Sequence, residues 1–214
     1  MSKQFIAVII IVIAGLFGVF TLTKKSNDNQ QSSNGSSSQV SEHKKGAGNK
    51  GVTLIEYGDF QCTACKSYYP MIKQVKESYG DDITFQFRHF PLTQIHPQAF
   101  AASRAAEAAG KQGKFFEMHD MLFENQDSWS AQSSVTPIFE GYAQELGLNI
   151  DQFKADVLDA NTAAVINADL KAGQAIGAIS TPTFVLNGAK IENPKSLDEF
   201  KKVIDDEIAK SNKQ

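Results

Sequence analysis

The sequence predicts an α/β protein with strands and helices in the order β-α-β, a helical block, then β-β-α, preceded by one transmembrane helix. Three observations carry that prediction. Two β-branched or aromatic runs, Val52 to Tyr57 and Ile83 to Phe90, flank a segment with helical apolar spacing. About 80 residues of helical character follow, and strand character returns only at Thr183. At the other end, Phe5 to Leu22 is a run of 18 residues without a charge.

That uncharged run reaches the lower limit for a helix crossing a hydrocarbon core roughly 30 Å thick. A cleavable signal peptide has a shorter apolar region and ends in small residues. This one ends Phe20-Thr21-Leu22-Thr23-Lys24, so an uncleaved anchor is expected, with residues 1–24 as cytoplasmic tip and span. Lys3 and the terminal amine nearly balance Lys24 and Lys25, so charge does not fix the orientation. Residues 25–50 are mostly Ser, Asn, Gln and Gly and are expected to be a flexible linker, with His43, Lys44 and Lys45 merely solvated.

The folded part is expected to cover residues 51–212. Val52 to Tyr57 stops at Gly58-Asp59, the classical signal for a strand end. Cys62 to Tyr79 carries Ala64, Tyr68, Met71, Ile72 and Val75 on one stripe, with Pro70 expected to kink the helix. Ile83 to Phe90 alternates, giving a second strand, parallel to the first by the usual crossover. Helical segments are predicted at 97–110, 114–125, 136–146, 151–158 and 162–176, an insertion spanning about 94–177. Thr183 to Leu186 and Ala189 to Glu192 then read as a hairpin about Asn187-Gly188. Ser196 to Ala209 closes the chain as a helix, with Ser196 as N-cap and Glu199 three residues on. Without the insertion, this order is the thioredoxin arrangement.

Composition narrows the function. The chain is 42% hydrophobic and 21% charged with a net charge of −3, which gives no basic footprint for nucleic acid. Its two cysteines stand three apart, as Cys62-Thr63-Ala64-Cys65, so no disulfide framework staples the fold. They fall where a strand and turn enter a helix. There, unpaired amides and the helix dipole favour an anion, and the first thiol of a Cys-x-x-Cys can titrate far below the ordinary value. Cys62 is therefore the expected nucleophile or electrophile, and Cys65, one turn on, the buried resolving partner. A zinc half-site is the rival reading. Zinc wants about four ligands, a second cysteine pair is missing, and His89, His96 and His119 lack paired spacing, so no metal is expected. Thr181-Pro182 lies directly before the β-β-α strand. Although X-Pro bonds are cis in only about 5–6% of cases, this position argues for cis, with the Thr181 backbone turned toward the dithiol to pair with an extended substrate.

Four segments together resemble the DsbA family of thiol–disulfide oxidoreductases, in its membrane-tethered Gram-positive form. They are Glu56-Tyr-Gly-Asp-Phe-Gln-Cys-Thr-Ala-Cys65, Phe87-Arg-His-Phe-Pro-Leu92, Gly113-Lys-Phe-Phe-Glu-Met-His-Asp120 and Ser180-Thr-Pro-Thr-Phe-Val-Leu-Asn-Gly188. The resemblance implies a thioredoxin fold with an inserted helical domain, oxidation of thiols in exported proteins, and reoxidation by a quinone-linked membrane partner. It implies no cofactor. It also makes Pro182 the cis proline, Thr181 a substrate contact, and Glu56 the buried acid beneath the dithiol, with a raised pKa and a proton to exchange with Cys65. One departure stands out: Thr63-Ala64 lacks the histidine that stabilises the thiolate in the best-known members, which should make the dithiol less oxidising.

The expected protein is a monomer whose catalytic domain stands outside the cytoplasm. Two other functions fit the same sequence. One is a tethered reductase or isomerase fed by a membrane electron donor. The other is a non-enzymatic module that holds unfolded exported chains.

Overall fold

The computed structural model describes residues 39–211. The expected span at 5–22 and the first part of the linker lie outside them, and among the described residues no helix is long and apolar enough to cross a membrane.

The first described element corrects an expectation. Residues 39–50 are not linker: β1 (His43–Lys45) pairs antiparallel with β3 (Ile83–His89), His43 opposite Phe87 and Lys45 opposite Phe85. Polar composition hides the strand because its stability comes from backbone pairing and from two anchors. Ser41 is buried and donates through its N–H and its hydroxyl to Asp169, at 2.9 and 2.5 Å. His43 stacks on Phe115, with ring centroids 3.4 Å apart.

The remaining elements follow the expected order. β2 (Val52–Gly58) runs parallel to β3, and α1 (Thr63–Tyr79) connects them, continuing without a break through Pro70. Five helices and one short turn of helix follow: α2 (Ala99–Gly110), α3 (Phe115–Glu124), α4 (Gln126–Trp129), α5 (Thr136–Glu145), α6 (Ile150–Leu158) and α7 (Ala160–Ala175). β4 (Thr183–Leu186) returns antiparallel beside β2, and β5 (Ala189–Lys190) pairs with β4. The sheet order is β1-β3-β2-β4-β5. Asn187 and Gly188 both take positive φ, 46° and 83°, as the two-residue hairpin requires. α8 (Leu197–Ser211) closes the fold, and the Glu199 amide donates to the Ser196 hydroxyl at 3.2 Å.

Strand alternation divides the sheet into two faces. Leu54, Phe85, Phe87, Phe184 and Leu186 belong to the larger core with Ile72 of α1 and Phe200 of α8, whereas Tyr57 and Val185 form a smaller cluster with Phe90 and Leu170 of α7. Gly173 lets α7 sit close on that second face, since a Cβ there would lie 2.6 Å from the Phe90 ring. Glu56 has the parity of Leu54, so the pleat drives a carboxyl into the larger core.

Candidate active site

Cys62 is the N-cap of α1, with extended backbone angles (φ −72°, ψ 124°), and its own N–H is held by the Asp59 carbonyl at 3.1 Å. The side chain thus stands over the open amides of the first helical turn. It is 8% exposed, while Cys65 is wholly buried, so only the first sulfur meets solvent. Both are free thiols.

Cys62 Sγ donates to the Thr181 carbonyl at 3.5 Å, and the Thr181–Pro182 peptide is cis. Thr181 Oγ1 is buried without a hydrogen-bond partner among the described residues. Its proton can turn to the sulfur once that sulfur is an anion.

The two thiols are driven apart in acidity. Cys62 falls from 9.0 to about 5, chiefly because the Cys65 thiol hydrogen-bonds to it, with Thr181 and the amides of Cys65 and Ala64 adding to the effect against the penalty of burial. Cys65 is pushed well up, first by burial, then by the bond to Cys62 and the charge on Glu56. Glu56, 2% exposed, rises from 4.5 to about 8 because burial penalises its anion; the Lys76 ammonium pulls it partly back. Lys76 lies in the last turn of α1, on the face that packs over Phe85 and Phe116, at 5.2 and 5.4 Å from their rings.

The structure therefore brings Cys62, Cys65, Thr181 and Pro182 together, with Glu56 on the core-facing side of β2. A family comparison gives this arrangement a context. The family model described as thioredoxin matches residues 38–206. The chain belongs to the thioredoxin family. Its fold matches alpha-DsbA1 of Wolbachia pipientis, with a TM-score of 0.69 and 24% identity over 81% of this chain and 95% of that one. It also matches oxidised BdbD of Bacillus subtilis, with a TM-score of 0.68 and 23% identity over 78% and 92%. The fold that the DsbA resemblance implied, a thioredoxin fold with inserted helices, is the fold found. The chain is also 37% identical over 157 residues to the Na(+)/H(+) antiporter NhaA 1 of Mycolicibacterium vanbaalenii, covering 72% of this chain and 24% of that protein. It spans about a quarter of the length of such curated relatives, whose name describes the much longer proteins.

Several residues of the site were not singled out from the sequence. Asp59, fully buried, accepts from the Gln61 and Leu92 amides at 2.8 and 2.9 Å and pairs with His96 Nδ1 at 2.7 Å. Gln126, from the inserted helices, donates to the carbonyls of Phe60 and Cys62 at 2.7 and 3.0 Å. Gln61 reaches the other way, donating to the Ser130 carbonyl at 2.7 Å and accepting from the Gln98 amide at 2.7 Å. The insertion thereby clamps the turn that carries Cys62. Asp59 and Gln61 lie inside the dithiol segment, so their neighbourhood was legible; Gln126, 64 residues beyond Cys62, gave no signal. His96 serves the site through Asp59, while His89 packs its ring against Phe60, with centroids 6.0 Å apart.

Proposed function

We propose that this protein is a thiol–disulfide oxidoreductase that forms disulfides in exported proteins through Cys62 and Cys65. The observation that carries the reading is the pairing of a helix-capping, solvent-touching Cys62 with a sealed Cys65, beside the Thr181 carbonyl.

In the oxidised enzyme, a substrate thiolate attacks Cys62 Sγ and the Cys62–Cys65 bond breaks. Cys65 departs as a thiolate whose high proton affinity draws a proton from the protonated Glu56. A second substrate thiolate then attacks the substrate sulfur of the mixed disulfide and releases Cys62 as a thiolate. The substrate has lost two electrons and the dithiol has gained them. Because the Cys62 anion is stabilised in the reduced enzyme, the equilibrium favours passing the disulfide outward. Cys65, Thr181 and the helix amides supply here the support that a histidine between the cysteines gives elsewhere in the family.

A groove of about 490 Å³, whose lining ends two residues before Thr181, is lined by Leu92, Ile95, Leu170 and Ile179, with Ile95 68% and Ile179 89% exposed. It suits an extended apolar segment of an unfolded substrate. The reading includes a catalytic domain outside the cytoplasm, tethered through residues 5–22 and reoxidised by a quinone-linked membrane partner.

The test is a redox titration against glutathione, with trapping of substrates on a Cys65→Ala variant. The expected potential is well above the thioredoxin value of about −270 mV, and on Cys65→Ala preloaded as a Cys62–glutathione disulfide, the thiolates of reduced exported proteins should displace glutathione and accumulate as mixed disulfides on Cys62. A potential at the thioredoxin value would assign the protein to reduction instead. Full activity in a Cys62→Ala variant would replace enzymatic exchange with chain binding.

A further inference from the structure

We propose that His43, His89 and Glu107 form a binding site for one divalent transition-metal ion of the zinc class. The three residues come from β1, β3 and α2 and converge at the sheet edge. His43 Nε2 lies 2.7 Å and His89 Nε2 lies 2.8 Å from the same oxygen, Glu107 Oε1, and the three ligand atoms all fall within 4.8 Å of one another. Two imidazole nitrogens and one carboxylate oxygen are the donor set that three-ligand zinc sites use, with the fourth position left to water. Calcium and magnesium take oxygen shells and gain little from imidazole.

The rings are held in place before any ion arrives. His43 lies flat on Phe115 at an interplanar angle of 6°, and His89 stands edge-on to Phe87, centroids 5.5 Å apart at 80°. His89 is fully buried and Glu107 nearly so, which excludes competing water from two of the three ligands. Gly110 leaves room at His43, since a Cβ there would approach its Cε1 to 3.0 Å. For metal–ligand distances of about 2.0–2.1 Å in a tetrahedral site, each imidazole nitrogen need move only about half an ångström away from Glu107 Oε1. Entry and the fourth position lie on the outer side, where His43 borders a surface pocket of about 270 Å³ shared with Lys45, Phe115 and Glu117.

Sequence spacing concealed the set, because the ligands are separated by 46 and 18 positions and the first falls in a stretch that reads as linker. An ion here would fasten β1 to both the sheet and the helical insertion. It would act on stability and not on the thiol chemistry, and the inference does not depend on that chemistry.

The experiment is a zinc titration of the full chain in its oxidised form, in which the disulfide sulfurs cannot serve as thiolate ligands. One zinc per chain should bind saturably. At a free concentration about a hundredfold above the dissociation constant, the thermal midpoint should rise by roughly 5–10 °C. Cobalt substituted for zinc should give visible d–d absorption without a thiolate charge-transfer band. His43→Ala, at the least buried ligand, should abolish the shift, and Glu107→Gln should weaken it at least tenfold in affinity. Absence of a midpoint shift and of a cobalt spectrum in the parent chain would overturn the site. So would a zinc response that survives His43→Ala, or a response to calcium in place of zinc.

Discussion

The backbone N–H of Asp59 donates to the sulfur of Cys65 at 3.5 Å. The same residue, through its carboxylate, holds the amides of Gln61 and Leu92 and the ring of His96. One buried residue thus fixes the turn before the dithiol and the loop after β3 through its side chain, and the seat of the resolving sulfur through its backbone.

Removing that carboxylate should be costly. Asp59→Ala leaves the buried Gln61 amide and the half-buried Leu92 amide and His96 ring without their acceptor, and each buried group left unsatisfied costs about 1–3 kcal/mol. Denaturant unfolding should report a loss of at least about 3 kcal/mol, with thiol exchange slowed as the turn loosens. Asp59→Asn, which keeps one carbonyl oxygen, should lose less.

The acidity of Cys62 has a direct readout. Alkylation of the reduced protein should rise through an inflection near pH 5, where a free cysteine would titrate at about 8.5. Cys65 should stay unmodified. A thiol whose folded pKa is depressed contributes in full above its unfolded value and loses that contribution as pH falls toward 5. The reduced protein should therefore gain stability over the oxidised one between pH 5 and 8, measured as a widening difference in thermal midpoint.

What the sequence made legible was whatever local chemistry enforces. Asn187-Gly188 demanded a hairpin because both residues tolerate positive φ, and the Cys62 N-cap followed from a strand running through a turn into a helix. Thr181-Pro182 could be placed because a strand follows it at once. What stayed hidden depends on pairing across long stretches of chain. Nothing local to Ser41 reveals that Asp169, 128 residues away, will take its hydrogen bonds. Nothing in the Gln126 neighbourhood shows that its amide will cap the carbonyls of Phe60 and Cys62. Composition also misled at residues 39–50, where a polar, glycine-rich stretch is fixed by backbone bonds to β3 and not by apolar burial.

The revised boundary can be tested by truncation. Asp169 is fully buried and accepts from the Ser41 amide, the Ser41 hydroxyl and the His89 amide. A chain beginning at residue 39 should keep its unfolding free energy. One beginning at residue 51 loses two of those three donors and the partner of the β3 edge, and each buried polar group left without its partner costs about 1–3 kcal/mol. Equal stability of the two truncations would return residues 39–50 to the status of linker.

Glu56 gives the last and sharpest pH test. Burial raises its folded pKa from 4.5 to about 8, so its proton is bound more tightly in the folded chain than in the unfolded one. Such a group contributes its full stabilisation below about pH 4.5 and loses it as pH climbs toward 8. At about 1.4 kcal/mol per pKa unit, the ceiling on that loss is near 5 kcal/mol. Glu56→Gln keeps the shape and removes the ionisation. The variant should match the parent near pH 4 and become progressively more stable than it up to about pH 8, with the gain levelling off above. The same substitution removes the acid that protonates departing Cys65, so formation of the mixed disulfide from the oxidised enzyme should slow even as the fold strengthens. A stability gain already complete at pH 4 would mean that Glu56 is charged in the folded protein. The proton would then have to come to Cys65 from elsewhere, and Lys76, the ammonium that draws the Glu56 pKa down, would be the group to substitute next.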